Sequence, residues 1–167
     1  MTAITLRPAT TADLDAINVV IERAVMTWPL PERVKRLTLP SYRYQPHDLD
    51  HLCIVVAEDA GRALLGVAAW EPASARDLPA GKTGLLLHGL YVDPDRQRAG
   101  VGSRLLDEAV GAAREQGFDG LLVKAQPAAE GFFLAGGLER VPAVDPARDY
   151  PHRLWKAVNS MTGQTAR

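Results

Sequence analysis

Hydrophobic residues recur at helical spacing near the start of the chain, after a short alternating segment and a polar residue that marks the start of a helix. The first segment, Ile4 to Pro8, alternates like a strand, and Thr10 stands three residues before Asp13, as in a capping box. The residues that follow predict a helix with one apolar stripe, which Pro29 and Pro31 terminate. This stripe consists of Leu14, Ile17, Ile21, Ala24, Val25 and Trp28.

The next part of the chain has a weaker pattern followed by two strand-like runs. Prolines and aromatic residues interrupt Glu32 to Asp50, which predicts a short helix followed by an exposed loop. Cys53 to Ala57 and Ala63 to Trp70 are β-type runs separated by turn residues, so we expect an antiparallel hairpin. We expect Cys53 itself to be a buried strand residue without special reactivity.

The second half of the chain has a strand–helix–strand order. A loop from Pro72 to Gly84 leads to an apolar strand, Leu85 to Val92. A helical stripe then runs from Gly102 to Gly117, where the glycine predicts a left-handed cap. The continuous apolar run Leu121 to Val123 predicts a strand covered on both faces, parallel to the preceding strand and joined to it by a right-handed crossover.

The chain closes with a short helix and a last strand. The helix contains Phe132 and Phe133 and ends at Gly136–Gly137, and the strand includes Arg153 to Val158. Together the elements predict an α+β fold with a mixed sheet and helices on both faces. We expect residues 1–158 to form a single domain and the polar tail 159–167 to be loose.

Composition limits the classes of partner and compartment. The 167 residues are 47% hydrophobic, which is enough for one domain with its own core. Nineteen Lys and Arg residues nearly balance twenty Asp and Glu residues, so we expect neither nucleic acid nor a membrane surface as a partner. One cysteine and no recognisable secretory signal favour the cytoplasm.

The junction between the strand Leu85 to Val92 and the following helix is the most informative part of the sequence. Two glycines, Gly100 and Gly102, stand where backbone amides without helical partners begin a helix. Such amides and the helix dipole bind a diphosphate, and Arg96 and Arg98 add positive charge. The alternative is a strand-to-helix turn that only needs flexible backbone. Dinucleotide-binding and Walker fingerprints are excluded, because their required glycines fall at Leu105 and Arg76.

Three separated motifs resemble the GNAT superfamily of N-acetyltransferases. The first is Gln97-Arg98-Ala99-Gly100-Val101-Gly102, which is preceded by Leu90-Tyr91-Val92-Asp93-Pro94. The others are Ala129-Glu130-Gly131-Phe132-Phe133 and Gly137-Leu138, in the order and at the spacing of the family. The resemblance implies a splayed GNAT-like sheet that binds acetyl-CoA as co-substrate, and no metal is expected from the sequence.

The resemblance also implies which residues contact the cofactor. In the family, backbone groups at the end of this strand bind the pantetheine and amides of the loop bind the diphosphate. Gln126 stands where the family often has an asparagine that contacts the cofactor. Matched to this chain, the predicted contacts are Leu90, Tyr91, Val92, Gln97, Arg98, Ala99, Gly100, Val101, Gly102, Ser103, Gln126 and Phe133.

His88 is the predicted catalytic residue. It lies on the same side of its strand as Leu90 and Val92 by period-two alternation, which places Tyr91 on the opposite side as a packing residue. A histidine titrates near neutral pH and suits a general base, and some family members carry His or Glu on this strand. The alternative is a hydrogen-bonded core histidine.

Phe133 departs from the family pattern. Most members have a tyrosine there that is thought to protonate the leaving sulfur, and phenylalanine cannot donate a proton. Because a thiolate is already a fair leaving group, we expect weakened rather than absent activity. The sequence therefore predicts an N-acetyltransferase that acts on a primary amine of a small molecule or peptide by direct attack. The alternative is an acyl-CoA-binding sensor with little catalysis.

Two further groups of residues are weaker candidates for a functional site. His47 and His51 have the four-residue spacing of a zinc-binding helix, but a solvated helix end is favoured over a metal site. Trp28, Tyr42 and Tyr44 fall in the region that lines the acceptor site in the family, and they form either an apolar pocket or ordinary packing. Dimerisation is common in the family, so a homodimer is a further possibility.

Overall fold

The computed structural model describes residues 3–97 and 99–158. The predictions made for Arg98 and for the tail 159–167 lie outside these residues. Within them, the strands are β1 (Thr5–Pro8), β2 (Cys53–Glu58), β3 (Leu64–Pro72), β4 (Gly84–Val92), β5 (Gly120–Lys124), β6 (Glu139–Arg140) and β7 (Arg153–Ala157). The α-helices are α1 (Leu14–Val25), α2 (Glu32–Tyr42), α3 (Asp48–His51), α4 (Val101–Glu115) and α5 (Glu130–Ala135).

The strands form one mixed sheet in the order β1-β2-β3-β4-β5-β7-β6. β1 is antiparallel to β2, and β7 is antiparallel to both β5 and β6. β4 is parallel to β5, with Gly84–Leu87 of β4 in register with Gly120–Val123 of β5. Since α4 connects these two parallel strands, the predicted strand–helix–strand order and the α+β class are confirmed.

Local sequence signals account for several element boundaries. The Thr10 N–H donates to the Asp13 carboxylate at 2.7 Å, and Arg7 donates to both oxygens of that carboxylate at 2.8 and 2.9 Å. The Arg7 guanidinium therefore holds the pKa of Asp13 well below its usual range. At the other end of the chain, Gly117 and Gly137 have φ values of +79° and +93°, as expected of left-handed residues after helices.

Two predictions for this part of the chain were wrong in detail. α1 ends at Val25 rather than continuing through Trp28, and the Thr27 hydroxyl donates to the Ala24 carbonyl at 2.6 Å just after it. Cys53 is exposed rather than buried, because it is the first residue of β2. The hairpin around 59–63 was correctly placed, and the Asp59 N–H donates to the Ala63 carbonyl at 3.0 Å.

The region from Glu32 to Asp50 also differs from its prediction. It contains an eleven-residue helix, α2, and then the short α3, instead of a short helix and an exposed loop. Tyr44, between these helices, is only 3% exposed. The Asn18 side chain of α1 accepts the Tyr44 N–H and donates to the Tyr44 carbonyl, both at 2.9 Å. This pairing satisfies the backbone of a buried connection that lies outside any strand.

The chain packs as two compact units. The first lies within Met1–Ala69 and Gly89–Leu106, and the second within Trp70–His88 and Asp107–Arg167. The first unit has a core formed by the apolar face of α1 together with side chains of β2 and β3 and the rings of Tyr44 and Tyr91. In the second unit, Leu121, Leu122 and Leu154 are fully buried where β5 pairs with β7. The single domain over residues 1–158 stays a prediction.

Gly120, the first residue of β5, lies so close to β7 that no side chain fits. A Cβ atom there would collide with the Lys156 backbone carbonyl and with the Trp155 ring. We expect Gly120→Ala to lower the free energy of unfolding by about 1–3 kcal/mol. Chemical denaturation measures this change.

The matched control for Gly120→Ala is the same substitution at Gly111 in α4. A Cβ atom at Gly111 meets no other atom within 4 Å, so alanine there should stabilise the helix by about 0.5–1 kcal/mol. Equal denaturation midpoints for Gly120→Ala and the wild type would contradict the close approach of β7 to β5.

Candidate cofactor-binding site

A short acidic turn connects β4 to the predicted diphosphate loop. The Asp93 N–H donates to the Leu65 carbonyl of β3 at 2.8 Å, which fixes the start of the turn. The Asp93 carboxylate accepts the Asp95 N–H at 2.9 Å and so caps the 3-10 turn at Pro94–Arg96. The sequence predicted that Arg96 adds positive charge at the diphosphate loop. In the structure its guanidinium lies 3.7 Å from the Asp59 carboxylate.

The residues after this turn lead into α4, and Ala99, Gly100 and Ser103 among them are exposed. Gly100 has a φ of +84°, and a Cβ atom there would meet no other atom within 4 Å. The Arg104 N–H donates to the Gly100 carbonyl at 3.1 Å, so the amides of Val101, Gly102 and Ser103 precede the helical hydrogen-bond ladder. This end of the helix therefore has the geometry of an anion-binding site.

The side chain of Val101 fixes the first turn of α4 to the sheet. Val101 is 1% exposed, although its neighbours Gly100 and Ser103 are exposed. A Cβ atom at Gly66 of β3 would lie 3.0 Å from Val101 and from Leu105, and 2.9 Å from the Tyr91 carbonyl. Gly66 thus permits α4 to pack directly on the strand beneath it.

The two faces of β4 differ in exposure in the way that alternation predicts. Leu85, Leu87 and Tyr91 are buried, whereas Leu86, His88, Leu90 and Val92 remain accessible. His88 is exposed, so the alternative of a core histidine is wrong. Its role as a base stays a prediction, as do the backbone contacts of Leu90, Tyr91 and Val92.

The aromatic residues of the first unit divide into a buried pair and a more accessible pair. Tyr44 and Tyr91 belong to the core. Burial, and to a smaller extent the electrostatic interaction with Tyr42, raise the pKa of Tyr91. Trp28 and Tyr42 are half-buried and meet edge to face, with ring centroids 5.3 Å apart. Tyr44 is therefore a packing residue, and only Trp28 and Tyr42 retain accessible ring surface.

Gln126 and Phe133, the predicted cofactor contacts of the second unit, lie between β5 and the end of α5. Gln126 is half-buried, and its carbonyl accepts the Ala129 N–H at 2.8 Å. Phe133 is 6% exposed and meets the more exposed ring of Phe132 edge to face at 5.1 Å. Their contacts with a cofactor stay predictions.

The structure adds polar residues that the sequence did not single out. The Tyr150 hydroxyl donates to the Ala125 carbonyl at 2.6 Å, directly before Gln126. The His152 carbonyl accepts the Ala125 N–H at 2.9 Å. Nδ1 of the His152 ring lies 3.4 Å from a carboxylate oxygen of Glu130. These pairings join residues more than twenty positions apart, so no local pattern in the sequence indicated them.

The described residues offer neither a metal cluster nor a membrane-spanning helix. Within 3–97 and 99–158, His, Cys, Asp and Glu side chains do not gather in groups of three or more that would hold a metal ion, and His47 instead lies 3.5 Å from Asp48. Over the same part of the chain, every helix is too short or too polar to cross a membrane.

Comparison with known proteins identifies the family. The model of the Acetyltransferase (GNAT) family matches residues 22–136, which is more than half of the chain and includes the loop at 97–103. The chain belongs to the GNAT acetyltransferase family. It is therefore an acyltransferase by family, and the resemblance seen in the sequence motifs is confirmed. No curated protein matches this GNAT chain in sequence.

Solved structures share the fold of this GNAT protein at low sequence identity. A GNAT acetyltransferase from Brucella melitensis in complex with acetyl-CoA is 20% identical, with a TM-score of 0.66 over 94% of this chain and 89% of that one. The PaiA N-acetyltransferase from Thermoplasma acidophilum in complex with coenzyme A is 16% identical, with a TM-score of 0.71 over 93% and 99% of the two chains. AAC(6')-Iy in complex with a bisubstrate analogue is 17% identical, with a TM-score of 0.61 over 85% and 95%. These likenesses confirm the mixed GNAT sheet flanked by helices.

Proposed function

We propose that this protein is an acetyl-CoA-dependent N-acetyltransferase that acts on a primary amine of a small molecule or a peptide. The observation that carries the proposal is the open backbone at Gly100, which leads into the first turn of α4. Helix amides that precede the hydrogen-bond ladder suit the diphosphate of coenzyme A. Two solved structures with this fold, those from Brucella melitensis and Thermoplasma acidophilum, hold acetyl-CoA or coenzyme A.

The cofactor would be held mainly by backbone groups. Val101 is anchored in the protein, so the amides at the start of α4 are fixed before any ligand arrives. The accessible residues Leu90 and Val92 on β4 leave their strand face open to the pantetheine. Gln126 and Phe133 complete the predicted set of contacts. When bound, acetyl-CoA supplies the acetyl thioester.

His88 is proposed to take the proton from the attacking amine. The amine nitrogen forms a bond to the thioester carbon, the carbon–sulfur bond breaks, and the sulfur leaves as a thiolate that is then protonated. Attack requires a neutral amine, so a base must accept the proton that the amine loses. His88, on the accessible face of β4, is the candidate for this base. AAC(6')-Iy, which shares the fold, was solved with CoA-S-monomethyl-acetylneamine, and this supports an amine as the acceptor. A cytoplasmic location and a homodimer stay predictions.

Calorimetry with acetyl-CoA and turnover with a panel of amines test the proposal together. Small primary amines and peptides with free amino groups are incubated with the protein and acetyl-CoA. We expect release of free thiol and an acetylated amine detectable by mass spectrometry. Binding of acetyl-CoA without acetylation of any amine would favour the alternative function, an acyl-CoA-binding sensor, and no binding at all would refute both.

The phenylalanine at position 133 is the observation that favours the sensor alternative, and it permits a direct test. We expect Phe133→Tyr to keep the fold and to raise kcat several-fold, which is less than the about 10²-fold of a typical positioned acid because a thiolate is already a fair leaving group. Steady-state kinetics at saturating acetyl-CoA measures the change. Phe132→Tyr adds the same hydroxyl to the neighbouring, more exposed ring and should leave kcat unchanged. Equal rates for Phe133→Tyr and Phe132→Tyr would show that position 133 does not face the leaving sulfur.

A further inference from the structure

An arginine of α1 binds both acidic side chains of the turn before the diphosphate loop. Arg23 donates to the Asp93 carboxylate at 3.0 Å through one guanidinium nitrogen and to the Asp95 carboxylate at 2.7 Å through another. The partners lie about 70 positions further along the chain. Arg23 therefore connects α1 to the turn that enters the loop at 97–103.

The turn would be unfavourable for an anion without this arginine. Asp93 and Asp95 stand immediately before Gln97, the first residue of the predicted diphosphate site. Arg96, the nearest described cation in the turn, is directed to Asp59 at 3.7 Å. Two unneutralised carboxylates at this place would repel the negative charges of coenzyme A.

We propose that Arg23 is a positioning residue that prepares the described backbone at 99–103 for the diphosphate of acetyl-CoA. It neutralises Asp93 and Asp95 and holds their turn in one arrangement, while the loop amides make the contact with the cofactor. This inference rests on the proposed function. It assigns to α1 a role in cofactor affinity that none of the family motifs in the sequence indicates.

The exposure of the ion pairs separates this role from a role in stability. The Arg23 side chain is 44% exposed and Asp95 is 77% exposed, whereas Asp93 is 15% exposed. Ion pairs of an arginine this exposed contribute little to the free energy of unfolding, so Arg23→Gln should stay folded. A positioning role instead predicts a selective change in the affinity for acetyl-CoA.

A matched pair of variants tests the proposal. Arg23→Gln removes the charge, and Arg43→Gln breaks a comparable ion pair, in which Arg43 is 43% exposed and lies 2.8 Å from Glu22 of α1. We expect Arg23→Gln to raise the Kd for acetyl-CoA about three- to ten-fold in calorimetry, with a larger ratio at low ionic strength. Arg43→Gln should leave the Kd unchanged. The KM of the amine and kcat at saturating acetyl-CoA should change little in either variant.

Removal of the uncompensated charge should rescue the affinity. In Arg23→Gln/Asp95→Asn, the Kd should return toward the wild-type value, because one of the two repelling carboxylates is gone. Equal Kd values for Arg23→Gln, Arg43→Gln and the wild type, or a failure of Asp95→Asn to rescue, would overturn the inference alone. A wild-type chain that binds no acetyl-CoA in the same titration would overturn the proposed function and this inference with it.

Discussion

Gly102→Val is expected to abolish tight binding of acetyl-CoA while the chain stays folded. Gly102 lies in the first turn of α4, where the proposed function places the diphosphate against the main chain. A branched side chain there would hold the phosphates away from the amides of Val101 to Ser103. Hydrogen bonds to a charged group contribute about 1.5–3 kcal/mol each, so loss of two of them corresponds to at least about a 100-fold rise in Kd.

The control for Gly102→Val is the same substitution further along the same helix. Gly111→Val carries the same cost of placing a β-branched residue in α4, and a Cβ atom at Gly111 meets no other atom within 4 Å. Calorimetry with acetyl-CoA compares the two variants after circular dichroism has shown that both are folded. If Gly102→Val bound acetyl-CoA as tightly as Gly111→Val, the diphosphate would have to bind elsewhere.

His88→Gln is expected to lower kcat/KM for a good amine acceptor by about 10²-fold or more, with little change in the affinity for acetyl-CoA. Glutamine retains hydrogen-bonding groups and similar bulk but cannot accept the proton of the amine. Because His88 is exposed, the substitution should not disturb the core of either unit. Steady-state kinetics with the acceptor and calorimetry with acetyl-CoA separate catalysis from binding.

The matched control for His88→Gln is His51→Gln, which changes another exposed histidine at the end of α3. His51→Gln should turn over like the wild type. If His88→Gln did so as well, the proton would have to leave through water or be lost by the amine in solution before it binds.

The parts of the fold that the sequence predicted correctly are those that local rules determine. α4 was placed from its apolar stripe, and it ends at Glu115, just before the left-handed backbone that Gly117 adopts. The β5 strand was identified from a continuous apolar run that is buried on both faces. In each case the residues that decide the structure are neighbours in sequence.

The errors arose where distant residues decide the structure. Tyr44 is buried because Asn18, 26 positions away, pairs with both of its backbone groups, and nothing near Tyr44 in the sequence indicates this. A second kind of error concerns Trp28. It continues the apolar spacing of α1, but the helix ends at Val25, because residue spacing alone does not show where helical hydrogen bonding stops.

In the candidate site, too, features set by neighbouring residues were predicted and features set by distant residues were missed. The alternation along β4 correctly placed His88 on the accessible face and Tyr91 in the core, and the glycine turn was recognised from its motif. Arg23 was missed because its partners, Asp93 and Asp95, are brought to it only by the packing of α1. Long-range ion pairs of this kind leave no periodic signal in a single sequence.

The buried side chain of Val101 has a thermodynamic consequence for ligand binding. Because Val101 packs against β3 at Gly66, the backbone at the start of α4 gives up its conformational entropy when the protein folds. A ligand that binds there does not have to order that backbone a second time, so more of its interaction energy remains as affinity. At the proposed diphosphate site, the buried Val101 between two glycines would thus keep the backbone in its binding conformation before a ligand arrives.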